Sequence, residues 1–137
     1  MKVEELAIKN MIPTEVVKGK FLENDAIVFK FDDGRVFALS HLQDCCEEVV
    51  IESIDGELND LVGQPLLMAE VAYQKVDEDN CTDATWGDCY TSTWSFYKFA
   101  TINGYVTIRF LGTSNGYYSE TVDDFWVEES ELECIER

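Results

Sequence analysis

Apolar and polar positions alternate at period two through most of this chain, and only two short stretches switch to helical spacing. In "VEELAIKNMI", Val3, Leu6, Ala7 and Met11 share one helical face and Pro13 cannot continue it, so the pattern predicts an amphipathic helix over 2–11. "TEVVKGKF" reads as a first strand. In "AIVFKFDDGRVFALS", Ile27, Phe29 and Phe31 line one face, Asp33-Gly34 supplies a hairpin turn, and Val36 to Leu39 resume the strand. "EVVIESI" is the next strand. "DGELNDLVGQP" predicts one helical turn near 56–62, with Asp55 as N-cap, Leu58 and Leu61 inward, and Gly63 and Pro65 ending it.

"LLMAEVAYQKV" predicts a longer strand, and "TWSFYKFATINGYVTIRFLG" carries the strongest pattern in the chain. There Trp94, Phe96 and Ala100 alternate with Ser95, Tyr97 and Phe99, Asn103-Gly104 reads as a type I′ turn, and Val106, Ile108 and Phe110 return on one face. "TSNGYYSETV" repeats the Asn-Gly device and continues the meander. The sum is a mainly β (α+β) fold: an antiparallel meander of about seven short strands, closing as a sandwich or small barrel, with the two helices at its edge.

Length makes this one domain, 1–137, and a composition 46% hydrophobic can bury a core. No apolar run is long enough to span a bilayer, and no charged start precedes an apolar stretch, so neither a membrane span nor a signal peptide is expected. The five cysteines cannot all pair within the chain, which fits a cytoplasmic protein with reduced thiols. Charge changes the picture most. Acids outnumber bases 28 to 10, for a net charge of −18. Solubility of a small domain needs only about 2 to 8 charges. Such a surface repels nucleic acid and anionic lipid and draws basic partners, over a screening length of about 8 Å at physiological salt.

Two blocks carry a resemblance, "HLQDCCEEVVIESIDGELNDLVGQPLLMAE" at 41–70 and "TWSFYKFATINGYVTIRFLGTSNGYYSETV" at 93–122. Together they resemble a family of small acidic proteins encoded by bacteriophages and prophages, over roughly residues 25 to 122. The family supplies no activity to carry over. The resemblance implies a phage context, and with it a bacterial host cytoplasm.

Three constellations carry chemistry. "HLQDCC" sets the only histidine, His41, four residues before Cys45 and Cys46, with Asp44 between. Zinc wants four ligands at spaced positions, whereas adjacent side chains on a strand point to opposite faces, so no metal is assigned. A nucleophilic cysteine with His41 as base and Asp44 orienting it would sit amid Asp44, Glu47 and Glu48, whose charge opposes a thiolate. The expected role is structural: one cysteine packs inward, and His41 and Asp44 tie down the loop entering "EVVIESI". "GTSNGYYSE" is weighed as a tyrosine-rich partner edge and expected to be a hairpin turn with one tyrosine in the core. No P-loop lysine, EF-hand glycine or clustered basic patch occurs, so phosphate, calcium and nucleic-acid sites are not expected.

The third constellation is the acids. The stretch 77–92 is expected as an exposed loop bearing Asp77, Glu78, Asp79, Asp83 and Asp88 with no base. The terminal segment 123–137 holds Asp123, Asp124, Glu128, Glu129, Glu131 and Glu133, with Phe125 and Trp126 as apolar anchors for a partner. As a strand, Glu129, Glu131 and Glu133 would set a carboxylate every ~6.7 Å along one face. Duplex DNA carries a phosphate per ~3.4 Å on each strand, so a second acidic row is needed to imitate it. The expectation is a non-enzymatic, cofactor-free inhibitor: a DNA-mimic surface bound to a basic nucleic-acid-binding host protein, such as a CRISPR effector or another defence nuclease. Alternatives are a module for a small molecule or signalling nucleotide, gathered by Arg35, Lys98 or Arg109, and a metal or cysteine enzyme at 41–46.

Overall fold

Every strand pair among the described residues is antiparallel, and the period-two patterns decide which face of each strand is buried. The structure is a computed structural model and describes residues 2–77 and 91–137, Asp77 by its backbone alone. A short helix, α1 (Val3–Ile8), precedes β1 (Pro13–Phe21), β2 (Asn24–Phe31), β3 (Val36–Ser40), β4 (Glu48–Asp55) and β5 (Met68–Asp77). There follow β6 (Thr91–Thr101), β7 (Gly104–Ser114), β8 (Asp123–Val127) and β9 (Ile135–Glu136). Short 3-10 helices occupy Leu58–Leu61 and Glu129–Cys134. The strands form a five-stranded sheet, β8-β3-β2-β1-β9, and a four-stranded sheet, β4-β7-β6-β5. The expected mainly β, antiparallel class is what forms.

The principal core joins both sheets. Phe29, Phe31, Phe37 and Leu39 come from one, and Tyr97, Phe99, Val106, Ile108 and Phe110 from the other. Thus the Ser95, Tyr97, Phe99 face of β6 turns inward, while Trp94 and Phe96 lie half-buried on the outer face. The α1 helix adds Val3 and Leu6. On the opposite face of the five-stranded sheet a second, smaller core gathers Phe21, Ala26 and Val28, with Phe125, Cys134 and Ile135 packed against it. Strand β2 is therefore buried on both faces.

Several turns depart from expectation. Thr101 pairs with Gly104, so the β6–β7 turn is centred on Ile102–Asn103, and neither has positive φ. This is not a type I′ turn on Asn103-Gly104. Gly104 is there because a Cβ would sit 2.6 Å from Asp60 Oδ2. The β1–β2 hairpin, by contrast, turns on Leu22 and Glu23, both at positive φ (48° and 71°), without any glycine or asparagine at those two positions. Asp55 ends β4 and does not cap the 58–61 turn, which Glu57 precedes with no side-chain cap. Finally, 115–122 is not a hairpin: β7 and β8 belong to different sheets, and this segment crosses between them. Neither tyrosine there enters the core; Tyr117 is exposed and Tyr118 half-buried.

The crossover lies directly on β7 at Gly112, where a Cβ would overlap the Glu120 carbonyl. Gly112→Ala is expected to lower stability by about 1–3 kcal/mol through this backbone clash, measured by denaturant unfolding. An unchanged midpoint would mean the crossover does not hold that close approach.

Candidate functional site

The loop 41–47 leaves β3 and enters β4, and its centre is a carboxylate that the sequence pattern did not single out. Glu47 is buried, and its Oε2 lies 2.8 Å from His41 Nε2. It also accepts the backbone N–H of Asp44 (3.0 Å) and Cys45 (2.7 Å) and the Gln43 side-chain amide (3.0 Å). His41 Nδ1 lies 2.8 Å from the Thr121 carbonyl, which can only accept, so Nδ1 carries a proton. Burial works to raise the Glu47 carboxyl, but the hydrogen bonds from His41 and the loop N–H groups outweigh it and bring it from 4.5 to about 2. His41 thus bridges the Glu47 carboxyl and the Thr121 carbonyl through its two ring nitrogens.

Both ring nitrogens of the histidine are thereby engaged within the protein. Among the described residues, no group of three or more His, Cys, Asp or Glu is placed to hold a metal ion. The tie-down role expected of His41 is the observed one, but its partner is Glu47. Asp44 contributes its backbone N–H and is itself exposed. Neither Cys45 nor Cys46 packs inward; both are exposed. The loop is joined to the crossover by His41, and Leu42 N–H adds a bond to Asp123 Oδ2 at 2.9 Å.

A second buried acid, Glu120, was equally unmarked. Its carboxylate accepts the hydroxyls of Thr91, Thr93 and Ser114, fastening the crossover to the ends of β6 and β7. Hydroxyl-bearing residues at alternate positions of one strand face, Thr91 and Thr93, were the one available sign that something polar faced them.

The acidic terminal segment is a folded strap. Residues Glu129–Cys134 form a 3-10 helix, closed by a capping box between Glu128 and Glu131. With three residues per turn, Glu129, Glu131 and Glu133 point to three different sides, so the expected single-file row of carboxylates does not form. The strap is held by Cys134 and Ile135 in the second core, by the Leu22 N–H to Cys134 carbonyl bond (3.0 Å), and by β9 pairing with β1. Phe125 and Trp126 spend their rings on this protein. Phe125 meets Phe21 edge-on at 5.0 Å, and Trp126 packs on Phe31 and Phe37 with Arg35 4.4 Å above it. Both remain half-buried. Asp124 accepts the Val3 N–H and Asp123 the Leu42 N–H, so both are engaged internally.

What remains outward on the strap is Glu128, Glu129, Glu133 and Glu136, all exposed. Among the described residues none of the four has a Lys or Arg within ion-pair distance. Glu78, Asp79, Asp83 and Asp88 lie outside the described residues, as does the side chain of Asp77. Of the basic residues considered for a nucleotide, Lys98 and Arg109 share the outer face of the four-stranded sheet, and Arg35 lies on the other sheet. Arg35 pairs with Asp33 at the β2–β3 turn, while Arg109 lies 4.9 Å from the Trp94 ring on the other sheet.

A family model described as a domain of unknown function, DUF7448, matches residues 4–123. The chain belongs to the DUF7448 family. Comparison with curated proteins gave no match, and neither did comparison with solved structures. The DUF7448 match takes in the 41–47 loop, the crossover, the four-stranded sheet and strands β1 to β3 of the other, and ends where the acidic strap begins.

Removing one partner of a buried His–Glu pair strands the other, so Glu47→Ala is expected to cost about 3–5 kcal/mol in chemical unfolding. A cost below about 1 kcal/mol would show that Glu47 does not organise the loop. The pH dependence has a definite sign. Because the folded carboxyl is depressed, its stabilisation is present above the ordinary carboxyl range and is lost as pH falls through about 2. Stability measured from pH 5 downward should fall in the native protein and fall less steeply in Glu47→Gln.

Proposed function

We propose that this DUF7448 protein is a non-enzymatic acidic binding protein that docks on a basic groove of a nucleic-acid-binding partner. What carries the reading is the folded strap, which presents Glu128, Glu129, Glu133 and Glu136 to solvent with no Lys or Arg within ion-pair distance among the described residues. A charged group on an ordered base loses little entropy when it meets a lysine or arginine, so it favours fast, salt-sensitive encounter. The net charge of −18 adds a long-range attraction of the same sign. The consumption of His41 by Glu47 and Thr121 removes the one side chain that would have served as a base near neutral pH. Among the described residues no helix is long and apolar enough to cross a membrane, which accords with a protein partner.

The finer form of the proposal rests on the family resemblance: a phage protein acting in the host cytoplasm on a defence nuclease, as anti-CRISPR proteins do. CRISPR effectors hold heteroduplex in a positively charged channel that an acidic domain could fill by competition. The splayed carboxylates favour occupancy of such a channel over imitation of regular phosphate spacing.

The test is competition. The tagged protein is used to capture partners from nuclease-treated bacterial lysate, with elution by a salt step, and the captured protein is then titrated with duplex DNA. The expected partner is basic, and DNA displaces it. Replacing Glu128, Glu129, Glu133 and Glu136 together by Gln should weaken binding roughly tenfold at low salt and flatten its salt dependence. Binding that ignores both DNA and the four substitutions would rule out the acidic strap as the interface.

A further inference from the structure

Cys45 and Cys46 stand apart from everything the acidic surface explains. Neighbouring side chains on an extended backbone diverge, yet these two sulfurs are 2.9 Å apart and both exposed. The cause is the buried Glu47 carboxylate. By collecting the N–H groups of Asp44 and Cys45 and the Gln43 amide, it bends the chain so that both thiols leave the loop on one side. The pair is thus presented by a fixed scaffold, at a point that faces the crossover tyrosine Tyr118. Cys45 beside it holds the Tyr118 phenol proton more tightly than usual. The hydrogen bond with Cys45 likewise pushes the Cys46 thiol up.

The spacing selects the chemistry. A tetrahedral zinc with Zn–S of about 2.3 Å would hold two sulfurs about 3.8 Å apart and demand further ligands. No such cluster occurs among the described residues. A disulfide needs an S–S distance of about 2.05 Å, an approach of about 0.9 Å from the present position.

We propose that Cys45 and Cys46 form an oxidative modification site, closed to an intramolecular disulfide by a low-molecular-weight disulfide of the glutathione type. The Cys45 thiolate attacks one sulfur of the oxidant and releases one reduced thiol, leaving a mixed disulfide. The Cys46 thiol, losing its proton to water, then displaces the second reduced thiol from Cys45. Two thiols are oxidised to one S–S bond and one external disulfide is reduced to two thiols, so the exchange balances. Neighbouring Cα atoms are about 3.8 Å apart, below the usual disulfide span of about 4.4–6.8 Å, so reduced thiol reopens the bond readily. The site is independent of the acidic strap and stands or falls without it.

Trypsin separates the cysteines cleanly. Cutting after Arg35 and Lys75 gives a 36–75 peptide whose only cysteines are Cys45 and Cys46, while Cys81 and Cys89 fall in 76–98 and Cys134 in 110–137. The full-length protein is incubated with oxidised glutathione, alkylated, digested and weighed. The expected 36–75 peptide is two hydrogens lighter, carries no alkyl group, and regains two alkylatable thiols after dithiothreitol. Cys46→Ser should instead stop at the mixed disulfide on Cys45. The proposal is overturned if the native 36–75 peptide keeps two free thiols while the Cys134 peptide is oxidised. It is equally overturned if it accumulates two glutathione adducts or is linked to another peptide.

Discussion

Strand β2 must be covered on both of its faces, and this constraint organises much of the molecule. Ala26, Ile27, Val28 and Phe29 are consecutive and all buried. Ile27 and Phe29 face the second sheet and build the principal core, so the four-stranded sheet satisfies that side. Ala26 and Val28 face the other way, where no sheet of the described residues lies opposite. Leaving that face wet would forfeit on the order of 25 cal/mol for each Å² of apolar surface. The chain answers by folding its terminal segment back across it, with Phe125, Cys134 and Ile135 as the contacts. Gly19 is part of the answer, since a side chain there would collide with the Glu136 carbonyl as β9 pairs with β1. The acidic strap is therefore a consequence of core geometry: its apolar side is needed, and its carboxylates occupy the side left over.

Crossing between the sheets brings a different problem, because connecting segments carry backbone groups that no ladder satisfies. Two buried glutamates deal with it. Glu47 gathers the N–H groups of the loop between β3 and β4, and Glu120 gathers three hydroxyls at the ends of β6 and β7. Of the two, Glu47 is bonded to His41, which through Thr121 fixes one crossing to the other. In a chain with so large an excess of acid, spending the sole histidine on one buried carboxylate follows from the cost of burying that charge alone.

Features that depend on local pattern were legible in the sequence. The Ile27, Phe29, Phe31 face, the Val106, Ile108, Phe110 face and the Asp33-Gly34 turn all rest on residues whose own stereochemistry or period dictates the outcome. Features that depend on a distant partner were not. Leu22 and Glu23 take positive φ because the β1–β2 register and the Cys134 carbonyl impose it, against their own preference. Asn103-Gly104 carries a strong type I′ signal, yet Asp60 packs where a Gly104 side chain would be, and the register slips by one residue. The 115–122 segment reads as a hairpin because Asn115-Gly116 does make a local turn, with Gly116 at φ 92°. Beyond that turn the chain joins the other sheet, a destination that no local signal records. Glu47 and Glu120 were hidden for a plainer reason: among so many acids, burial leaves no mark on sequence.

The same distinction bears on how an acidic surface should be read. Alternation in "EESELECIE" suggested a strand and hence an ordered line of charge. Pairing along that line would have required an edge to pair with, and β1 accepts only Ile135 and Glu136. The preceding residues are left to satisfy their own N–H groups, which a 3-10 helix with the Glu128–Glu131 capping box does locally. Charge that radiates from a short helix cannot match a repeating polyanion atom for atom, but it can meet lysines and arginines arriving from several directions. Phe125 and Trp126 are half-buried against the protein's own rings, and Leu132 is the large apolar side chain the strap exposes. Affinity through such a surface must then come from many screened contacts, and salt is the variable to which it answers most directly.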